Sequence, residues 1–147
     1  MTARTTAQRK TDLLALLARE EDAWVASASA TGVAYLIPLS YHWNGRQLVF
    51  ATLERSKTTR NLRRAGRARI SLPSTRDVVI VAGPVAFIPT DADSALADAF
   101  AARLNWDPRN EPESYTFFAL TPDFIQSWRD VEELNGRTIM RDGIWQD

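Results

Sequence analysis

The chain has 147 residues, 45% of them apolar and 24% charged, with 18 basic side chains against 18 acidic ones. That size fits one domain with its own core, and the composition excludes a disordered, collagen-like or coiled-coil chain and a global polyelectrolyte partner for nucleic acid. There is no cysteine and one histidine, His42, which excludes a disulfide framework, a thiolate nucleophile and a cysteine zinc site; no metal centre is expected.

Leu13, Leu14, Leu16 and Leu17 follow Thr11-Asp12 and predict an amphipathic helix over residues 5–22. Its apolar cluster ends in Arg19-Glu20-Glu21-Asp22 in place of a cleavage site, and no apolar run is long enough to span a bilayer, so a cytoplasmic protein without signal peptide or membrane helix is expected. Residues 24–29 alternate as a strand, and Ala30-Thr31-Gly32 is a turn. Residues 33–43 alternate strongly, with Val33, Tyr35, Ile37, Leu39, Tyr41 and Trp43 on one face and Ala34, Leu36, Pro38, Ser40 and His42 on the other. Pro38 removes a ladder donor, so the strand is expected to be bulged or at an edge there. Asn44-Gly45 predicts a hairpin into a return strand over 47–52. Ser56 as N-cap and Gly66 as C-terminal stop predict a two-turn helix between them. Strands follow at 69–72 and 77–88, the second interrupted by Gly83-Pro84, which predicts a bulge or bend. A helix is expected from Thr90, Asp91 and Asp93 to Leu104, with Leu96, Ala99, Phe100 and Leu104 as its stripe. Residues 106–114 read as loop, 115–120 and 124–128 as strands about a Thr121-Pro122-Asp123 turn, and 138–140 as a last extended piece. About seven strands and three helices, with no helix between the first three strands, predict a mainly β single domain with flanking helices, an antiparallel barrel over 24–128 and a C-terminal tail over 129–147.

Chemistry concentrates in residues 50–69, where Arg55, Lys57, Arg60, Arg63, Arg64, Arg67 and Arg69 face one acid, Glu54. Ser56, Lys57 and Thr58 fall where a strand gives way to a helix, whose N-terminal N–H groups and partial positive charge suit a phosphate. The same pattern also describes a capped, solvated basic helix. His42 beside the Asn-Gly turn reads as a barrel-end side chain, the five tryptophans as core or subunit-interface residues, the three tyrosines as structural, and Glu132-Glu133 as solvated surface.

The succession PLSYHWNGRQLVFAT (38–52), SKTTRNL (56–62) and RISL (69–72) resembles the pyridoxamine 5′-phosphate oxidase-like family, the flavin- and deazaflavin-dependent oxidoreductases built on the FMN-binding split β-barrel. The tail WRDVEELNGRTIMRDGIW (128–145) is similar to that of small bacterial members. The resemblance implies an antiparallel split barrel that pairs as a homodimer, with the cofactor in a groove at the two-fold interface. It implies that Ser56 and Lys57 hold the cofactor's phosphate, beside the Thr58 already placed at that helix start, that Thr52 meets the ribityl or phosphate region, and that Leu36, Ile37, Pro38 and Leu39 line the ring system; Arg60 and Asn61 carry over more weakly. FMN is the implied cofactor and F420 the alternative, with a small-molecule substrate and hydride or two-electron transfer as the activity. The strand over 37–43 carries no Arg or Lys and the tail ends in Ile144-Trp145-Gln146-Asp147, a departure from authentic pyridoxamine phosphate oxidases that argues against a vitamin B6 phosphate substrate. A non-catalytic flavin, haem or bilin binder is the competing reading. No catalytic acid or base is assigned.

Overall fold

A computed structural model describes residues 2–147. Helix α1 (Thr6–Arg19) leads into β1 (Asp22–Ala28), β2 (Ala34–Trp43) and β3 (Leu48–Leu53); α2 (Lys57–Ala65), β4 (Arg67–Ser71), β5 (Val78–Pro89) and α3 (Ser94–Leu104) follow, then β6 (Tyr115–Leu120), β7 (Phe124–Trp128), β8 (Thr138–Arg141) and β9 (Ile144–Trp145). All pairings are antiparallel, and β1–β2–β3–β6–β5–β4 closes on β1 as a six-stranded barrel, from which β7, β8 and β9 extend along one side of β5. The tail thus contributes two short strands where one extended piece is expected.

The hairpin at Asn44-Gly45 forms because Asn44 Oδ1 accepts the N–H groups of Arg46 and Gln47 while Gly45 takes φ +91°. Strand β3 is buried along most of its length because both of its faces are covered. Leu48 and Phe50 enter the barrel, where Phe50 stacks on Phe118 at 4.8 Å, while Val49 and Ala51 pack beneath α3 with Phe100 and Phe117. Helix α3 starts at the Asp93 cap and buries Ala97 and Phe100; Ala99, expected on the buried stripe, is exposed.

Gly83-Pro84 marks no bulge, since β4 pairs through it in unbroken register; it is where β5 changes partner on its other edge. Residues 78–82 pair with β7 and residues 85–89 with β6, while β4 pairs along the opposite edge. The Thr121–Asp123 turn that joins β6 to β7 therefore crosses directly over Gly83.

Helix α1 ends at Arg19, three residues short of the expected boundary. Glu20 is already extended (φ −71°, ψ 156°), and the Glu21 carbonyl accepts the Tyr41 N–H at 2.8 Å, so the acidic run leads into β1. Leu13 and Leu17 of α1 are fully buried, and Arg9, 6% exposed, donates to the carbonyls of Ser127, Glu133 and Gly136.

Glu133 is not solvated surface: it is 1% exposed, and its carboxylate accepts from the N–H, Nε and Nη2 of Arg4 and from the Arg129 N–H. The hydrogen bonds from the Arg4 side chain, opposed by burial and joined by the backbone N–H groups, bring the Glu133 pKa down to about 2 from 4.5. The pKa is depressed on folding, so the stabilisation is complete above pH 4.5 and is lost as pH falls from 4.5 towards 2. It amounts to about 3 kcal/mol. Acid unfolding followed by circular dichroism should show this loss of stability in the native chain and a smaller loss in Glu133→Gln, which starts less stable at pH 7 and keeps only the contributions of other paired carboxylates such as Asp123.

Candidate functional site

Strand β2 pairs with β1 over residues 34–40 but with β3 only over residues 41–43. The Val33 carbonyl accepts the Ser29 N–H at 2.9 Å and the Tyr41 N–H donates to Glu21 at 2.8 Å. These bonds fix the phase of the ladder: odd-numbered residues of β2 turn their N–H and C=O groups to β1, and even-numbered ones turn them away. The backbone of Ala34, Leu36, Pro38 and Ser40 thus looks into a gap, and among the described residues no strand takes that edge. Pro38 is tolerated in mid-strand because its missing N–H falls on this open edge, so the expected edge position is what the strand adopts.

The side chains of the same stretch alternate. Leu36, 59% exposed, and Pro38 lie on the outer face beside Trp24, which is 43% exposed, while Ile37 pairs with buried Val25 and Leu39 packs against the barrel core. What Leu36, Ile37, Pro38 and Leu39 have in common is therefore a strand edge; only alternate side chains share a face.

Helix α2 closes the barrel end next to this edge. Ser56 caps it by accepting the Thr59 N–H at 3.1 Å, and Gly66, at φ 71°, ends it with a bond to Leu62. The Ser56 hydroxyl also lies 3.0 Å from Thr59 Oγ1 and 3.3 Å from Thr52 Oγ1, and Thr59 Oγ1 donates to the Leu53 carbonyl at 2.7 Å. Ser56 Oγ and the Ser56 carbonyl take the N–H groups of Thr59 and Arg60, leaving those of Lys57 and Thr58 for other acceptors. Thr58 is fully buried and its Oγ1 has no partner among the described residues.

Lys57, Arg60, Asn61 and Arg64 recur at helical spacing and line one side of a groove of about 450 Å³; Ser29, Val33, Ala34 and Tyr35 line the other. Lys57 Nζ stands over the Tyr35 ring at 5.6 Å, Asn61 Nδ2 donates to Ser27 Oγ at 3.0 Å, Arg60 reaches the Arg55 carbonyl and Arg64 the Ala28 carbonyl. Among the described residues no carboxylate lines this groove. Ser56 lines a different hollow, with Glu54 and Glu113 on its walls. The structure thus brings Lys57, Arg60 and Asn61 together, keeps Thr52, Ser56 and Thr58 in and beneath the first turn of the helix, and adds Arg64, known from the sequence only as part of the basic run, and Tyr35, read there as structural. The spacing 57, 60, 61, 64 was the available signal.

Three other cations of the basic run are engaged elsewhere, while Arg55 lines the hollow beside Ser56. Arg63 pairs with Glu54 and covers Phe87, Arg67 pairs with both oxygens of Asp123, and Arg69 covers Phe124. His42 sits seven residues along β2 from Tyr35, about 23 Å at the usual strand rise. Burial, and then the charge of Arg103, hold its imidazole below the ordinary pKa. Tyr41 donates to the Leu17 carbonyl at 2.9 Å inside the core, where burial raises its pKa.

Residues 10–129 match the family model described as pyridoxamine 5′-phosphate oxidase. The chain belongs to that family. Solved structures agree on the fold of this pyridoxamine phosphate oxidase-like chain. An F420 reductase superposes with a TM-score of 0.63 at 16% identity, covering 76% of this chain and 93% of its own. A pyridoxamine 5′-phosphate oxidase-related, FMN-binding protein from Nostoc punctiforme gives 0.56 at 20% identity, covering 90% and 83%. A heme-binding protein from Mycobacterium smegmatis gives 0.65 at 19% identity, with 97% of this chain matched to 60% of that one. No curated protein matches the chain. No helix among the described residues is long and apolar enough to cross a membrane.

Proposed function

We propose that the cationic groove and the open edge of β2 hold a flavin-type cofactor, FMN or the deazaflavin F420, and that the chain is an oxidoreductase acting on a small molecule. The observation that carries this reading is the convergence of Lys57, Arg60 and Arg64, without a carboxylate, beside an unpaired strand edge. The donor set fits such a group. A phosphate takes charge-assisted bonds from the three cations and from the free first-turn N–H groups of α2. The backbone edge at Ala34, Leu36 and Pro38 offers donors and acceptors to the polar rim of a flat heterocycle, and Thr58 Oγ1 is a buried hydroxyl still without a partner.

Bound there, the cofactor would supply hydride or two-electron transfer. The chain's own part is to grip, orient and exclude water. Ser56 acts through the cap, fixing the first turn so that Lys57 faces the groove. Tyr35 supports the ammonium from below. Trp24, Leu36 and Pro38 form an exposed apolar outer face, and exposed Val33 stands at the groove itself. A second copy of the chain covers that face in this reading and closes the site as a homodimer. Light scattering should return twice the chain mass, and a monomer that still binds the cofactor tightly would overturn the shared groove.

The test of the cofactor is direct. The absorption spectrum and mass of the co-purifying molecule, followed by parallel fluorescence titrations with FMN and F420, should identify one tight ligand. Lys57→Ala should weaken it by about 1.5–3 kcal/mol, roughly 10–150-fold in Kd. Binding of neither cofactor would remove the reading, and an unchanged Kd in Lys57→Ala would remove Lys57 from the site. One observation favours a second reading, a non-catalytic binder of a flavin, haem or bilin: the ionisable groove residues are three cations and Tyr35, with no carboxylate or imidazole to handle a substrate proton. Tight binding without redox cycling by any donor would select it.

A further inference from the structure

A second hollow, of about 390 Å³, opens where α1, the β2–β3 hairpin, the Thr121–Asp123 turn and the tail strands meet. None of its lining residues belongs to the groove beside α2. Its lining is mostly apolar, with Ile125 and Met140 buried and Leu14, Trp43 and Trp145 half-buried; half-buried Lys10 and exposed Arg46 bring charge to its rim. Lys10 Nζ lies over the Trp145 ring at 4.5 Å. Among the described residues neither cation has an ion-pair partner and no carboxylate lines the hollow. That is unlike Arg4, Arg67 and Arg109, each of which is paired with a carboxylate. The volume falls within the range of small-ligand sites, about 300–1,000 Å³, and the plan is the usual one of an apolar body with a few polar groups to fix orientation.

We infer that this hollow is a second ligand site, for a small aromatic carboxylate. The aryl body packs in the hollow against the indoles and the aliphatic side chains that line it. The carboxylate sits at the rim, where Lys10 and Arg46 supply charge that no carboxylate among the described residues pairs with. The Thr121 hydroxyl, which already accepts from Gln47 Nε2 at 2.9 Å, has its own O–H free to donate at the same rim. A neutral ligand of the same shape would keep the aromatic contacts and lose the charged ones.

The experiment is calorimetric titration of the full chain with naphthalene-1-acetate and with its neutral isostere naphthalene-1-acetamide, at low and at high salt. The acid should bind at least about tenfold more tightly than the amide at low salt, and the preference should shrink at high salt. The double variant Lys10→Met, Arg46→Met keeps most of each stem and should bring the acid down to the affinity of the amide. Trp145→Ala should weaken both ligands. The variant Lys57→Gln, Arg60→Gln, Arg64→Gln should leave the acid's affinity unchanged, which separates this site from the cofactor groove. Equal binding of acid and amide, no binding of either, or an acid preference that survives the Lys10 and Arg46 changes would each overturn the inference.

Discussion

Gly83→Ala should destabilise the protein by about 3–5 kcal/mol, which for a chain of this size lowers the melting temperature by roughly 10–15 °C. A Cβ at residue 83 would lie 1.9 Å from the Thr121 carbonyl oxygen and 2.8 Å from its carbon, both of them backbone atoms. The turn has little freedom to retreat. Its Thr121 N–H is held by the Pro84 carbonyl at 3.1 Å, its Asp123 N–H by the Ala82 carbonyl at 3.0 Å, and its Asp123 carboxylate by both terminal nitrogens of Arg67 at 2.8 Å. The hydrogen bonds from Arg67 also hold the Asp123 carboxyl below its ordinary pKa. Relief of the overlap must break at least one of these links at the place where β5 passes from β7 to β6, so the damage reaches both the barrel and the appended strands. Thermal and urea denaturation followed by circular dichroism measure the effect. A melting temperature within about two degrees of the parent would show that the turn moves aside freely and that the crossing is not a constraint on the fold.

The antiparallel barrel was readable because its signals are local. Asn44-Gly45 specifies a hairpin by backbone chemistry alone, and alternation along β2 assigns its faces without reference to any partner. Gly83-Pro84 was readable as an interruption, yet its meaning was not, because the reason for glycine there is a turn almost forty residues later in the chain. The same limit explains Glu133. Its partner Arg4 is separated from it by 129 positions, so nothing near the Glu132-Glu133 pair in sequence distinguishes it from solvated charge. The basic run shows the limit at the candidate site. Read along the chain it is one positive field. In space, helical periodicity turns Lys57, Arg60 and Arg64 to the groove, while Arg63 finds Glu54 nearby and Arg67 finds Asp123 from a distant turn. Ser56 illustrates a different ambiguity, since capping a helix and binding a phosphate call for the same residue at the same place. The structure gives its hydroxyl neighbours within the chain.

The largest functional effect is expected from removing the three groove cations together and reading the result against the ligand's phosphate. Lys57→Gln, Arg60→Gln, Arg64→Gln keeps polar side chains of reduced length on an exposed helix face and removes three positive charges. Each charge-assisted bond to a phosphate is worth about 1.5–3 kcal/mol, and three sharing one anion add less than threefold, so FMN affinity should fall by about 4 kcal/mol, roughly a thousandfold. Riboflavin, which lacks the phosphate, should change by less than about threefold. The pairing of two ligands with two proteins isolates the coupling between cations and phosphate from any general loosening of α2, because loosening would weaken both ligands alike. The same pair of measurements with F420 and its phosphate-free deazaflavin core applies if F420 is the tight ligand. Salt gives an independent check: binding of the phosphorylated ligand to the parent should weaken as ionic strength rises, and binding to the triple variant should be nearly flat. If the triple variant lost FMN and riboflavin equally, the cations would be supporting the helix and the anionic end of the cofactor would have to lie elsewhere. If it kept FMN at full affinity, the groove beside α2 would not be the cofactor site at all.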